Sequence, residues 1–430
     1  MTIAVVGHGY VGLVTAAVFA DLGNVVWVIG HTKKKIENLQ KGIIPFFEPG
    51  LSEMVKHNLA AYRLIFTKNL NQGIQDAKII FICVGTPPKK NGEADLSSVF
   101  EVAKQIGKNL HHYALIVTKS TVPVGTNRKI AQIVKQSADK NISFDVASCP
   151  EFLKEGTAIS DTLCPDRIVF GVDNKSAAEL LCDLHKHING ERIVTAIETA
   201  EMIKYASNAL LATKISFANA IAFICEHVAA DAEEVLEGVG LDKRLGRNFL
   251  YPGVGFGGSC LPKDIKALVA IAKYHGYNFE LLRTVDKINQ EVKTRFVDKI
   301  VAGLGEVKGK IIAVLGLSFK PNTDDIREAP AIEIITRLQQ KGAKIKAFDP
   351  VAMGKATNVL KNVVYCKNPL EAASAADSLL ILTEWNEFKQ LDLSAIKKVM
   401  KQAYIFDGRN IYDPNKVKKL GFIYTGVGRK

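Results

Sequence analysis

Across residues 1–196, short apolar runs alternate with longer stretches that repeat every three or four residues. The runs at 3–6, 25–29, 78–84, 114–118 and 145–148 are rich in Val and Ile, and helix-period segments such as 11–22 and 99–110 lie between them. This alternation predicts a doubly wound, mostly parallel sheet. From residue 197 the rhythm changes. Ile203, Ala206, Leu210, Thr213, Phe217, Ala220, Ile224 and Val228 follow one another at three- or four-residue steps, with no glycine or proline between 197 and 228. That pattern predicts one helix about 45 Å long. More helical segments run to residue 303, interrupted by a glycine-rich loop around Cys260. At 310 the alternation restarts, with strands expected at 311–315, 344–348, 379–382 and 404–407 and a helix at 331–341. The expected fold is α/β: two Rossmann-like, doubly wound domains joined by a long central helix and a helical dimerisation region. Boundaries are expected at 1–196, 197–303 and 304–430.

Composition narrows the partners. The net charge is +12, but the lysines are spread along the chain and form no arginine-rich or aromatic-interleaved stripe. Nucleic acid is therefore not expected, whereas anionic small molecules suit a basic protein. The seven cysteines show no paired spacing, which fits a reducing cytosol; Cys83, Cys149, Cys182 and Cys225 read as small buried residues. The chain starts directly in a strand pattern without a basic leader, and no uninterrupted apolar run reaches bilayer length. A cytoplasmic protein without a membrane partner is expected, and no metal site is read from the residues.

Several motifs carry chemistry. Gly7-His8-Gly9-Tyr10-Val11-Gly12 follows a strand and opens a helix, the setting of a dinucleotide fingerprint. Gly7 allows the tight turn, Gly9 the approach of a pyrophosphate, and Gly12 close packing of the helix. The second strand should end in an acid that holds the adenosine ribose. Here it ends Val28-Ile29-Gly30-His31-Thr32-Lys33-Lys34-Lys35. Gly30 replaces the acid, and NADP stands beside NAD as a cofactor. Gly85 and Thr86 follow one strand, and Lys119-Ser120-Thr121 follows the next, forming walls where nicotinamide and substrate would meet. Glu151 and Glu155, four residues apart, would share a face at a helix start. Lys204 and Asn208 lie on one face of the long helix, and Cys260 sits in Gly257-Gly258-Ser259-Cys260-Leu261-Pro262-Lys263-Asp264. A thiol beside a dinucleotide loop suits a dehydrogenase that holds an oxidised carbonyl on sulfur. A two-electron hydroxyacid dehydrogenase would share the architecture and a helical lysine without needing Cys260.

These motifs, with Phe47-Glu48-Pro49-Gly50-Leu51, Phe319-Lys320, Arg327, Thr383-Glu384-Trp385 and Asp407-Gly408-Arg409-Asn410, occur in an order that resembles the UDP-glucose/GDP-mannose dehydrogenase family. The last two motifs look like its UDP-glucose branch rather than the UDP-N-acetylhexosamine or GDP-mannose branches. The resemblance spans essentially the whole chain. It implies a four-electron oxidation of UDP-glucose to UDP-glucuronate with NAD, in a homodimer or higher homo-oligomer. Dehydrogenation of another nucleotide sugar, or a non-catalytic nucleotide-sugar binder, stands as the alternative. In the implied mechanism Cys260 is the nucleophile, Lys204 and Asn208 steady oxyanions, Asp264 pairs with Lys204, and Thr121 and Glu151 position the hydrolytic water. Gly7, Gly9, Tyr10, Val11, Gly12, Gly30, Lys35, Gly85, Thr86, Thr121, Glu155, Lys263 and Arg327 match cofactor-contacting positions. Glu151, Phe152, Leu153, Lys204, Asn208, Phe249, Tyr251, Gly253, Gly257, Cys260, Phe319, Lys320 and Arg409 match substrate-contacting ones, and Arg244 matches an arginine that reaches across a dimer. A helix start at Leu261 would favour the Cys260 thiolate.

Overall fold

The structure is a computed structural model that describes residues 1–429. Its backbone forms two compact units: residues 1–207 with 266–274, and residues 208–265 with the described residues from 275 onward.

The first unit is built on eight strands: β1 (Thr2–Val6), β2 (Val25–Ile29), β3 (Leu64–Thr67), β4 (Ile79–Ile82), β5 (Ala114–Thr118), β6 (Phe144–Ser148), β7 (Arg167–Gly171) and β8 (Glu191–Thr195). They lie in the order β3-β2-β1-β4-β5-β6-β7-β8. All neighbours are parallel except β6 and β7, which meet antiparallel through Ser148 and Gly171. Ile3, Val5, Ile79, Phe81, Leu115 and Val117 point to one face and pack against Leu13, Ala17 and Phe19 of the helix Tyr10–Asp21. Ala4, Ile80, Ile82 and Ile116 point to the other face, against Val99, Ala103 and Ile106 of the helix Ser97–Asn109. Strands covered on both faces need side chains that are apolar at every position, which is why β4 reads Ile-Ile-Phe-Ile.

The second unit repeats the plan with β9 (Ile311–Leu315), β10 (Lys344–Phe348), β11 (Val363–Tyr365), β12 (Ser378–Ile381), β13 (Tyr404–Asp407) and β14 (Ile423–Gly426). The order β11-β10-β9-β12-β13-β14 is parallel throughout. In both sheets the strand order reverses beside the first strand, and ligands of such sheets bind at that reversal, beyond the carboxyl ends of the strands.

The apolar pattern locates the interior strands other than β7 and misses the edge strands β3, β8, β11 and β14. Of these four, β8 and β14 are interrupted by polar or exposed positions, while β3 and β11 hold only three apolar residues each, 64–66 and 363–365. It also misses β7, the strand whose neighbour β6 runs the opposite way.

The long helix runs from Ile197 to Val228 over 32 residues, as the periodicity predicts. Against the expectation from uninterrupted runs, this is the one helix among the described residues that is long and apolar enough to cross a bilayer. Its apolar residues include seven alanines and five isoleucines. It buries Glu201, Lys204, Asn208, Ser216 and Asn219 along its length, as a core helix with polar partners does.

At the end of β13, Asp407 is fully buried and accepts from Arg409 N at 3.1 Å, Tyr412 N at 3.0 Å and Tyr424 Oη at 3.1 Å. Burial is the largest influence on its carboxyl and pushes it from 3.8 up to about 6, while these hydrogen bonds pull the other way. A carboxyl raised in the folded chain keeps its proton after the unfolded chain has lost its own. Its contribution to stability is therefore whole below pH 3.8 and falls as pH rises through about 6. Asp407→Asn should flatten the decline of unfolding free energy across that window, measured by urea unfolding at stepped pH.

Candidate active site

At the reversal in the first sheet, Val6 and Ile82 are partners in register. Gly7 turns the chain immediately after β1 with φ +121°, and a Cβ there would lie 2.4 Å from the Cys83 carbonyl oxygen. A Cβ at Gly12 would lie 2.1 Å from Gly7 O, whereas one at Gly9 would meet nothing within 4 Å. Gly9 thus leaves the approach to the helix Tyr10–Asp21 clear. That helix starts with no side-chain cap and no acid in its first turn, so its leading N–H groups remain available to phosphate. These features fit the pyrophosphate of a dinucleotide.

The loops after β4 and β5 line up beside it. Thr86 Oγ1 donates to Thr121 O at 2.9 Å, and Ser120 Oγ donates to Val84 O at 2.7 Å. Glu201, buried on the long helix, accepts from Gly125 N at 2.6 Å, Asn127 N at 2.9 Å and Asn127 Nδ2 at 2.7 Å. Burial pushes the Glu201 carboxyl up, and these donors pull it back.

Glu48 holds the loop that follows β6. It accepts from Gly156 N at 2.6 Å and Ala158 N at 2.7 Å, and Tyr10 Oη donates to the same carboxylate. A cofactor-loop tyrosine and the 151–156 loop therefore share one buried anion. The 151–154 segment is not the expected helix start, since the next helix begins at Ala158. Glu151 bends back instead, with Oε2 accepting from Leu153 N at 2.6 Å. Its Oε1 lies 3.1 Å from Lys204 Nζ, both side chains being buried. Phe152 covers this pair, its ring centroid 5.3 Å from Lys204 Nζ and 3.9 Å from Arg167 Cζ.

In the second unit, Cys260 is exposed and its carbonyl accepts from Asp264 N at 2.9 Å, which makes it the cap of the helix Leu261–Tyr274. Its Sγ is 3.7 Å from Ser259 Oγ. The preceding loop is held tightly. Asn289 bridges Phe256, accepting from its N at 2.8 Å and donating to its O at 3.1 Å. A Cβ at Gly257 would lie 2.2 Å from Glu328 O, and one at Gly258, with φ +81°, would lie 2.8 Å from the Phe319 ring. Asp264, 1% exposed, accepts from Asn208 Nδ2 at 2.6 Å and from Lys263 Nζ at 2.5 Å.

Arg409 gathers the remaining residues of this unit, donating to Leu382 O at 3.0 Å, Gly255 O at 3.0 Å and Phe319 O at 3.3 Å. Gly253 N donates to Asn219 Oδ1 at 2.8 Å, and Tyr251 lies under Arg247 with 4.4 Å from centroid to Cζ. Phe249 takes a left-handed φ of +66°. Arg244 and Arg327 are solvent-facing and ion-paired within their own loops, to Asp242 and Asp325.

Comparison with known proteins matches residues 1–189 to the NAD binding domain of the UDP-glucose/GDP-mannose dehydrogenase family, 198–291 to its central domain and 313–414 to its UDP binding domain. The chain belongs to that family. It is 48% identical over 428 residues to UDP-glucose 6-dehydrogenase TuaD of Bacillus subtilis, covering 99% of this chain and 93% of the relative. Among solved structures, a UDP-glucose dehydrogenase from Pyrobaculum islandicum superposes with a TM-score of 0.93 at 37% identity, over 100% of this chain and 98% of its own. A UDP-D-ManNAc dehydrogenase from Pyrococcus horikoshii gives 0.88 at 29%, over 100% and 99%.

For a member of this family, the motifs included Glu48 without giving it a role and missed Glu201 and Asn289, the other residues that hold the loops. Sequence marks them faintly, as polar residues within otherwise apolar or helical stretches. Asn289→Ala would leave both Phe256 backbone groups without partners in a buried site. A loss of about 2–4 kcal/mol is expected in urea unfolding, with reduced turnover as the Cys260 loop loosens.

Proposed function

We propose that this chain oxidises UDP-glucose to UDP-glucuronate in two oxidation steps, holding the sugar on Cys260 between them. The observation that carries the reading is Cys260 itself, an exposed thiol at a helix cap in a rigid glycine loop. A helix N-terminus favours the anionic thiolate, the nucleophilic form. UDP-glucose is favoured over other nucleotide sugars by the 48% identity to a relative named for it, against 29% to the UDP-D-ManNAc enzyme.

Removal of hydride and a proton from the C6 alcohol gives an aldehyde. The Cys260 thiolate adds to its carbonyl carbon, and protonation of the oxygen gives a thiohemiacetal. Loss of a second hydride and a proton converts this to a thioester, and water then breaks the C–S bond, releasing carboxylate and thiolate. A nicotinamide dinucleotide, when bound, would supply the hydride acceptor for each oxidation. Gly7, Gly9 and Gly12 would hold its pyrophosphate, with Thr86 and Thr121 beside them.

Lys204 and Asn208, one turn apart on the long helix, donate to the oxygen that becomes anionic at each stage. Glu151 balances the buried Lys204 charge and, with Thr121, orients the hydrolytic water. Asp264 orients the Asn208 amide through their 2.6 Å hydrogen bond. Phe319, Lys320 and Arg409 bind the nucleotide sugar.

The acting form is a homodimer. Leu210, Phe217 and Ile224 are 63%, 49% and 57% exposed and recur every seven residues, so they share one face of the long helix. Such a row suits burial against a second copy, and the solvent-facing Arg244 suits a contact outside its own subunit. The Cys260 thiol must stay reduced, which fits a reducing compartment.

Two reduced cofactors should form per uronate; a ratio of one would remove the double oxidation. Cys260→Ser should lower turnover of UDP-glucose by about two orders of magnitude or more, and a rate equal to wild type would exclude its role. Phe217→Glu should convert dimer to monomer in light scattering after size exclusion.

A further inference from the structure

At the adenosine end of the dinucleotide site, the acid that usually holds the ribose hydroxyls is replaced by Gly30. The structure gives a reason for the glycine. A Cβ there would lie 2.5 Å from His8 Nδ1 and 2.7 Å from Ile36 Cδ1. The His8 imidazole fills the volume that an acidic side chain would use, so His8 and Gly30 form a matched pair. His8 is 8% exposed, and its ring makes no hydrogen bond among the described residues. Its neighbours are cationic or titratable: the His31 ring lies 5.7 Å away at 65°, and Lys35 acts on it electrostatically. Burial, then Lys35, then His31 hold the His8 imidazole below its ordinary range.

The next helix adds to this charge. Lys33–Gln40 begins with three lysines, has no acid in its first turn and takes no side-chain cap from Thr32. Cations at the positive end of a helix are placed against the dipole. Lys33 is partly answered by Glu37 at 3.9 Å, while Lys34 and Lys35 are exposed. A buried, unpartnered imidazole, an exposed histidine and uncapped helix N–H groups with lysines converge where a dinucleotide carries its adenosine ribose. A phosphate dianion complements all of them.

We propose that His8, His31 and Lys35, with the space opened by Gly30, form a 2′-phosphate site, so that this chain binds NADP in preference to NAD. The inference rests on the dinucleotide reading above. The 2′-phosphate replaces the repulsion around His8 with attraction, so its arrival draws a proton onto the imidazole. NAD, which lacks that phosphate, draws none.

Calorimetry on the intact protein slightly above neutral pH, in two buffers of different ionisation enthalpy, tests this with 2′,5′-ADP and 5′-AMP. The 2′,5′-ADP should bind about tenfold tighter or better and take up protons, while 5′-AMP should take up none. His31→Ala and Lys35→Ala, both at exposed positions, should each weaken 2′,5′-ADP by about tenfold and leave 5′-AMP binding in place. The double variant H8A/G30D should reverse the preference. Equal or weaker binding of 2′,5′-ADP, or indifference to both surface substitutions, would overturn the inference. A parallel turnover assay with UDP-glucose separates the two readings. Uronate formation with NAD and none with NADP removes the 2′-phosphate site and keeps the dehydrogenase. Tight 2′,5′-ADP binding with no turnover on either cofactor keeps the site and removes the proposed reaction.

Discussion

Buried carboxylates that accept backbone N–H groups hold the functional loops in place. Glu48 takes Gly156 and Ala158, Glu201 takes Gly125 and Asn127, and Asp349 takes Leu317, Ser318, Val351 and Ala352. A buried anion without donors is far too costly to persist, and a buried N–H without an acceptor also destabilises the fold. Each carboxylate therefore fixes a loop that carries no regular structure of its own. The loops beyond the strands can then be irregular enough to present Thr121, Glu151 and Phe319 while staying rigid.

Each sheet places a positive-φ glycine directly after its first strand, Gly7 at +121° and Gly316 at +96°. Both abut the loop just past the neighbouring strand across the reversal: Gly7 meets Cys83 O, one residue beyond β4, and Gly316 meets the Thr383 side chain, two residues beyond β12. The same topology thus forces the same close approach twice. The sheets diverge at the end of the second strand. In the C-terminal sheet Asp349 is present, and its oxygens accept from four backbone N–H groups and from Ser318 Oγ. In the N-terminal sheet the equivalent position is Gly30, and an imidazole occupies the space.

The chemistry of the site was readable where it depends on residue type at short spacing. The Gly7–Gly12 fingerprint, the Lys204–Asn208 helical pair and the Cys260 loop each declare themselves within a few residues, and the helix 197–228 follows from unbroken periodicity. Glu151 and Glu155 misled for the converse reason. Four-residue spacing suggested a helix face, yet Glu151 binds the backbone of Leu153 and the buried Lys204, a partner distant in sequence. Edge strands escaped notice because β8 and β14 are broken by polar or exposed positions and β3 and β11 hold only three apolar residues each.

By itself, the sequence determined the two α/β halves, the long helix between their patterns, and the thiol, lysine and amide of the proposed chemistry. All of these follow from local periodicity or from residue identity. Only the tertiary structure decided which partner each buried charge takes: Glu151 with Lys204, Asp264 with Asn208 and Lys263, Glu48 with the 156–158 backbone. It also turned Gly30 from a missing hydrogen bond into one half of a packing pair with His8. Pairings of this kind join residues far apart in the chain and are selected by the cost of burying charge and by the volume left between side chains. Neither quantity exists until the chain has closed on itself.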